Sequence, residues 1–201
     1  MRTLIKPHWS LRYAWDKAVA RAFELQDPTA PWLARGAVDF LERWLRTTDR
    51  MVEFGSGRST SWFASRCGRL VSFEDDPEWG RRTVLQLDPY PHARVIMTPR
   101  DEEGYMRAVR ENVDFEPTIV LVDGQHRDAA ALWALDVLSP CGMLVIDNAN
   151  WFLPSRVRAP SSVPCDAKPV SARWETFLGH ASKYRQLWFD NGVQATLVML
   201  Y

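Results

Sequence analysis

Apolar positions keep a helical rhythm through the first 46 residues. Leu11, Trp15, Val19 and Phe23 fall four apart, and Leu33, Ala37, Phe40, Leu41, Trp44 and Leu45 repeat the three-and-four spacing of a second helix. Asp27-Pro28-Thr29-Ala30-Pro31 separates the two as a turn, with Pro31 suited to the first position of the second helix. After Asp49 the rhythm changes to short apolar runs alternating with helical stretches. Strands are predicted at Met51–Phe54, Arg69–Phe73, Ala93–Met97, Thr118–Val122 and Met143–Ile146. Helices are predicted at Thr60–Cys67, Pro77–Leu87, Glu102–Glu111 and Asp128–Leu138. The nearly continuous apolar run at Thr118–Val122 is that of a strand covered on both faces.

Strict alternation of strand and helix implies a parallel sheet with right-handed crossovers on both faces. The tail departs from it: Tyr184–Phe189 and Ala195–Leu200 flank Asp190-Asn191-Gly192, a hairpin signal. The expected fold class is therefore α/β, a Rossmann-like, seven-stranded and mostly parallel sheet ending in an antiparallel hairpin. Residues 1–48 form a helical N-terminal cap of the same domain, and residues 49–201 form the cofactor-binding part. Asn148–Val170, rich in proline, serine and arginine, is long for a loop in a compact domain, which marks it as functional or mobile.

Composition narrows the classes. With 25 basic and 25 acidic side chains in 201 residues, the chain is formally neutral, which disfavours a generic phosphate-coating surface. Cys67, Cys141 and Cys165 form no CxxC pair, which fits a reduced, cytoplasmic chain better than a disulfide framework or zinc site. The N-terminal stretch lacks the apolar core of a signal peptide, and no apolar run reaches the roughly 18 residues of a spanning helix. Ten tryptophans are unusual. Trp9, Trp15, Trp32 and Trp44 are read mainly as packing or interface in the cap, the N-terminal helices serving as pocket cover or homodimer contact. Trp62, Trp79, Trp133, Trp174 and Trp188 are read as structural, and only Trp151 falls where chemistry is expected.

The first chemical signal is Glu53-Phe54-Gly55-Ser56-Gly57-Arg58-Ser59-Thr60, between the first strand and its helix. Gly55 and Gly57 let the backbone turn sharply and let a ligand approach closely. Ser59 or Thr60 can cap the helix start. The second strand runs into Glu74, with Asp75 and Asp76 after it, where a carboxylate can accept hydrogen bonds from ribose hydroxyls. Together they describe a site for a nucleoside-containing cofactor; the plain alternative is a tight turn followed by a solvated acidic turn. The loop lacks the third glycine of the dinucleotide fingerprint, and no lysine precedes Ser59-Thr60 as a phosphate-binding loop requires.

These residues resemble the class I S-adenosylmethionine-dependent methyltransferases, whose first motif is an acid followed by GxGxG; here Ser59 stands at its last glycine. The resemblance is to bacterial small-molecule members and rests on EFGSGRSTSWFA, LVSFEDDPEW, VLVDGQHR and LVIDNAN, in that order, over residues 31–150. It implies S-adenosylmethionine as cofactor, with Glu53, Gly55 and Gly57 around its amino-acid end and ribose. Glu74 would hold the ribose hydroxyls, and Asp101 would face the adenine edge unless it is simply a solvated loop acid.

Ligands of open parallel sheets bind beyond the strands' carboxyl ends. There the fourth strand places Asp123-Gly124-Gln125-His126-Arg127 and the fifth Asp147-Asn148-Ala149-Asn150. Asp123, Asp147 and Asn148 offer hard oxygen ligands for a divalent ion such as Mg2+, in partial resemblance to the catechol-type metal-dependent O-methyltransferases. In the alternative, Asp123 contacts the donor while Asp147 and Asn148 cap the following loop. His126 is the general-base candidate, its alternative role being a helix cap. Arg127, Asn150 and Trp151 are candidates to meet the acceptor, Arg127 by pairing with an anionic group or else simply with Asp123 or Asp128. Trp151, Phe152 and Leu153, followed by Arg156 and Arg158, are read as a lid or else as packing on the sheet edge. His8, His92 and His180 are read as structural or surface groups. Asp88-Pro89-Tyr90-Pro91 imitates the D-P-P-Y motif of amino-group DNA methyltransferases but precedes the third strand instead of following the fourth. The resulting expectation is methyl transfer to a small molecule at a hydroxyl oxygen, without nucleic-acid or membrane partners. The alternatives are a nicotinamide-dinucleotide oxidoreductase and a non-catalytic binding module.

Overall fold

The computed structural model describes residues 10–26, 29–157 and 159–201. His8, Trp9, Asp27, Pro28 and Arg158, which figured in the readings above, lie outside them. Seven strands form one sheet: β1 (Arg50–Phe54), β2 (Arg69–Glu74), β3 (Ala93–Met97), β4 (Ile119–Val122), β5 (Met143–Ile146), β6 (Arg185–Asp190) and β7 (Ala195–Leu200). Their order is β3-β2-β1-β4-β5-β7-β6, parallel except that β7 runs against both β5 and β6. The predicted sheet and hairpin are both present.

The strands alternate in which side of the sheet they fill, as a period of two requires. Val120, Val122, Leu144 and Ile146 face a core closed by α5 (Glu102–Asn112), α6 (Arg127–Val137) and α7 (Ala172–Ala181). Ile119, Leu121, Met143 and Val145 face the opposite core, closed by α2 (Arg35–Trp44) and α3 (Arg58–Ala64). Every residue of β4 and β5 is buried, so their unbroken apolar runs serve two cores at once. α4 (Pro77–Gln86) carries β2 to β3, with Asp76 capping it by accepting from the Glu78 and Trp79 N–H groups.

The N-terminal region corrects two expectations. α1 (Leu11–Gln26) forms as predicted but buries no residue; Leu11 and Trp15 are 92% and 70% exposed. Trp15 is therefore not core, and of the predicted apolar stripe Phe23 alone packs against the α2–α3 core. α2 starts at Arg35, not Pro31, because the Ala34 N–H is held at 2.9 Å by Thr196 Oγ1 on β7, which fixes where the helix can begin. α2 itself is well buried through Ala37, Val38 and Leu41.

Asn150, Phe152, Leu153 and Ser162 anchor the segment after β5 to the body of the protein. Leu153 is fully buried, and Phe152 stacks on Trp174 at 5.5 Å. Asn150 grips Ser162 with its amide and accepts from the Ala195 N–H. Trp174 anchors α7, with Ser171 capping that helix. No described helix is long and apolar enough to cross a membrane. Truncating Trp174 to alanine should cost about 3–5 kcal/mol in urea unfolding, whereas Trp15→Ala should stay within about 0.5 kcal/mol.

Candidate functional site

Glu53 lies at the middle of the sheet, completely buried on β1. Its carboxylate accepts hydrogen bonds from Ser59 Oγ, Thr60 Oγ1 and Ser72 Oγ, each at 2.6 Å. Thr60 Oγ1 in turn accepts from the Gly57 N–H at 2.8 Å. One acid therefore ties β1, β2, the glycine loop and the start of α3 together. Burial is the dominant influence and raises its pKa from 4.5 to about 7; the three hydroxyls oppose the rise and Asp123 adds to it. Glu53 thus lies beneath the loop and shapes it, instead of facing the ligand side where the resemblance placed it.

Above it, Gly55 adopts φ +90°, and a Cβ there would come within 2.6 Å of Gly124 Cα. A Cβ on Gly124 would come equally close, 2.7 Å from the Gly55 amide nitrogen. The loops after β1 and β4 therefore touch backbone to backbone, and neither tolerates a side chain. Gly124 went unremarked in the sequence; its signal was the Asp-Gly step after a buried strand.

Glu74, at the end of β2, ties the next pair of loops. One carboxylate oxygen accepts from Ser56 N and Oγ at 2.9 and 3.2 Å, the other from Asp75 N and Asp76 N at 3.0 and 2.8 Å. A carboxylate offers about four lone-pair sites, so all are engaged by protein donors. Asp75, beside it, faces outward into the groove, with Arg100 at 3.9 Å.

These loops enclose a groove of about 610 Å3, within the usual range for small-ligand sites, lined by Gly55, Glu74, Asp75, Arg100, Asp123 and Gln125 among others. A smaller pocket of about 190 Å3 continues past Gly57, between Trp32 and Trp79, with Arg58, Ser59 and Asp123 on its walls. Asp123 and Gly55 line both. Trp79 belongs to the site rather than the core: its indole N–H donates to the Ser56 carbonyl at 2.5 Å, and its ring covers Gly57. Trp32, half exposed, stands opposite. Neither tryptophan was singled out by spacing.

Several other candidates have different work. Asp101 caps α5 by accepting from the Gly104 N–H at 2.8 Å and does not face the groove. His126 sits in the left-handed region, φ 51°, and its ring turns toward α5. There Nε2 lies 2.9 Å from the Arg100 carbonyl and Nδ1 3.7 Å from Glu102, against Tyr105. Both ring nitrogens are thus directed away from Asp123, which removes His126 as general base. Asn150 is the buried clamp already described. Trp151 is 42% exposed on a short 3-10 turn and lines neither the groove nor the pocket beside it.

The divalent-ion reading also fails, on the donors themselves. Arg127 brings its guanidinium between the ends of β4 and β5, donating to the carbonyls of Asp123, Gly124 and Asp147 and to the Asp123 carboxylate at 3.0 Å. A fixed cation thus occupies the neighbourhood proposed for the metal. Asp147 is buried and turned to Thr196 Oγ1, 2.8 Å away; burial and the Asp123 charge push its pKa upward. Asn148 is a left-handed residue, φ 50°, whose carbonyl closes the turn to Trp151. Among the described residues no three His, Cys, Asp or Glu side chains converge as a metal site.

No protein-family model matches the sequence, and no curated protein does. Solved structures do match in fold. A Klebsiella pneumoniae protein provisionally assigned as an O-methyltransferase superposes with a TM-score of 0.62 at 16% identity, over 93% of this chain and 96% of its own. This is the class I methyltransferase fold. A methyltransferase from Geobacter sulfurreducens matches at 0.55 and 13%, over 98% and 92% of the two chains. An rRNA methylase from Streptococcus thermophilus matches at 0.52 and 14%, over 81% and 91%.

Two substitutions probe the site's construction. Gly124→Ala should open the contact with Gly55 and destabilise the fold by about 1–3 kcal/mol. Glu53 is protonated near pH 7 when folded and near 4.5 when unfolded, so the folded state holds the extra proton between those values. Its contribution is therefore present below pH 4.5 and lost as pH rises to 7, about 3 kcal/mol in all. Urea midpoints measured at pH 5 and pH 8 should fall less for Glu53→Gln than for wild type, with Asp147 supplying the remaining slope.

Proposed function

We infer that the chain is an S-adenosylmethionine-dependent methyltransferase acting on a small molecule at a hydroxyl oxygen. The observation that carries this reading is the convergence of Gly55, Asp75 and Asp123 on one groove at the carboxyl ends of β1, β2 and β4. The close Gly55–Gly124 approach supports it, because it leaves backbone rather than side chain facing the ligand. With the Glu74 carboxylate already saturated by Ser56, Asp75 and Asp76, the Asp75 carboxylate, which lines the groove, is the better acceptor for ribose hydroxyls, and Glu74 positions it.

Bound there, the cofactor supplies an electrophilic methyl on a sulfonium centre. Asp123 lines both the groove and the pocket beyond Gly57, so it is the carboxylate to take the hydroxyl proton as the oxygen is alkylated. Burial pushes its pKa upward against the pull of Arg127, which makes it a stronger base than an ordinary carboxylate. Arg127 holds the Asp123 carboxylate in place and offsets charge next to Asp147. The neutral overall charge favours a small acceptor over a polyanion.

A nicotinamide dinucleotide is disfavoured by the same details. The position of its third glycine is Thr60, whose hydroxyl is committed to Glu53. The antiparallel β7 also stands between β5 and β6, where the dinucleotide sheet continues in parallel order.

Calorimetry with S-adenosylmethionine and S-adenosylhomocysteine should give saturable binding at one site. Asp75→Ala should weaken it about tenfold, as expected for lost charge-assisted hydrogen bonds. No heat with either compound at millimolar concentration would sink the reading.

A further inference from the structure

A polar seam crosses one face of the sheet at the level of the groove. Glu53 pairs with Ser72 on β2 and with Leu121 on β4, so it projects to the α2–α3 side that Leu121 also fills. The ladders run on past the strand ends, where the Asp123 N–H donates to the Phe54 carbonyl and the Asp147 N–H to that of Val122. By the two-residue period, Asp123 follows Leu121 and Asp147 follows Val145 onto the same face as Glu53. Thr196, two residues from Val198 on β7, completes the row by donating to Asp147. Ser72, Glu53, Asp123, Asp147 and Thr196 thus stand in line across five neighbouring strands, β2-β1-β4-β5-β7.

Three carboxylates share this seam, and its charge is unbalanced. Glu53 is met by hydroxyls and Asp147 by Thr196, whereas Arg127 donates to the Asp123 carboxylate and reaches Asp147 at its backbone carbonyl. Arg58 of α3 lines the adjoining pocket but turns to α1, donating to the Glu24 carbonyl at 3.1 Å. The groove above is acidic as well, with Glu74, Asp75, Asp76 and Asp123 set against Arg100 and Arg127. Cys67 and Tyr105 stand near Glu53, but burial pushes both upward, the thiol to about 12, so both stay neutral. Asp123 is the member of the seam that faces the ligand. Burial raises Glu53 to about 7 and pushes Asp147 upward too, and the Asp123 charge adds to each rise. The seam therefore holds a proton near neutrality, because its carboxylates outnumber the cations that reach them.

We propose that the seam exchanges this proton for the positive charge of the methyl donor, and so tells the sulfonium donor from its thioether product. A cation placed at Asp123 favours the ionised form of all three carboxylates, so the seam gives up a proton as the donor binds. The product lacks that one charge and is held by the protonated seam. Methyl transfer restores the starting state. The acceptor oxygen forms the new C–O bond, the C–S bond breaks with its electron pair to sulfur, and the hydroxyl proton passes to Asp123. One positive charge leaves sulfur as one proton returns to the seam, so the charge of the site is unchanged. The proposal rests on the methyl-donor reading of the groove.

The test is calorimetric titration of the whole chain with S-adenosylmethionine and with S-adenosylhomocysteine, in phosphate and in Tris at pH 7. These buffers differ in ionisation enthalpy, so the difference in heat counts the protons released. The donor should expel about half a proton and the product almost none, as for a seam whose pKa falls by about one unit. Between pH 5.5 and pH 7.5 the affinity for donor over product should rise about fivefold on the same basis. Glu53→Gln and Asp147→Asn should each lower the proton count and flatten that rise, with unchanged affinity for S-adenosylhomocysteine reporting that they are folded. The wild-type counts decide the proposal even where a variant fails to fold. Equal proton release by the two compounds, an affinity ratio independent of pH, or an unaltered rise in both variants would overturn the exchange alone. Failure of either compound to bind at all would overturn the donor reading, and the exchange with it.

Discussion

The architecture of the site hangs on one buried carboxylate. Glu53 has no exposure and no cationic partner among its hydrogen bonds; Ser59, Thr60 and Ser72 surround it with hydroxyls instead. Burying a charge in this way is costly, and the rise of its pKa toward neutrality shows that the hydroxyls offset only part of the cost. In return, the path of the chain from β1 through the glycine loop into α3 is held in one arrangement. The exposed face of that loop is then free to be backbone, which a ligand can approach. Stability is spent beneath the loop so that geometry is fixed above it.

The remaining loops are tied to this one in sequence. Glu74 connects the loop after β2 to Ser56, and Gly124 places the loop after β4 against Gly55. Arg127 connects the ends of β4 and β5, and Thr196 links Asp147 to the beginning of α2. The sheet order brings these strand ends side by side, and the side chains convert proximity into a rigid rim. Asp75, Asp123 and the tryptophans at positions 32 and 79 are the groups left facing outward from it.

The fold was largely legible because β4 and β5 are buried on both faces and show it as unbroken apolar runs, while the terminal hairpin advertises itself through Asp190-Asn191-Gly192. The glycine loop and the acids after β2 were legible for the same reason: their placement is a property of chain order. What could not be read was direction. Spacing puts His126 beside Asp123, but a left-handed backbone at residue 126 swings its ring to the far side, onto Arg100 and Glu102. Asp147 and Asn150 stand at the right strand end and are consumed by Thr196, Ser162 and the Ala195 amide, contacts with residues far along the chain. Amphipathic spacing in α1 promised a buried stripe, yet spacing reports capacity for burial and not the presence of a partner. Trp32 and Trp79 join the site only because α2 and α4 bring distant segments to the glycine loop.

The account stands on the claim that the rim formed by Gly55, Asp75 and Asp123 holds the methyl donor. The most direct measurement is a crystal structure of the chain grown with S-adenosylhomocysteine. The predicted result is density for the ligand in the groove, with the ribose hydroxyls against Asp75 and the sulfur end directed past Gly57 toward the pocket between Trp32 and Trp79. Ligand density elsewhere on the molecule, with this groove left to solvent, would contradict it.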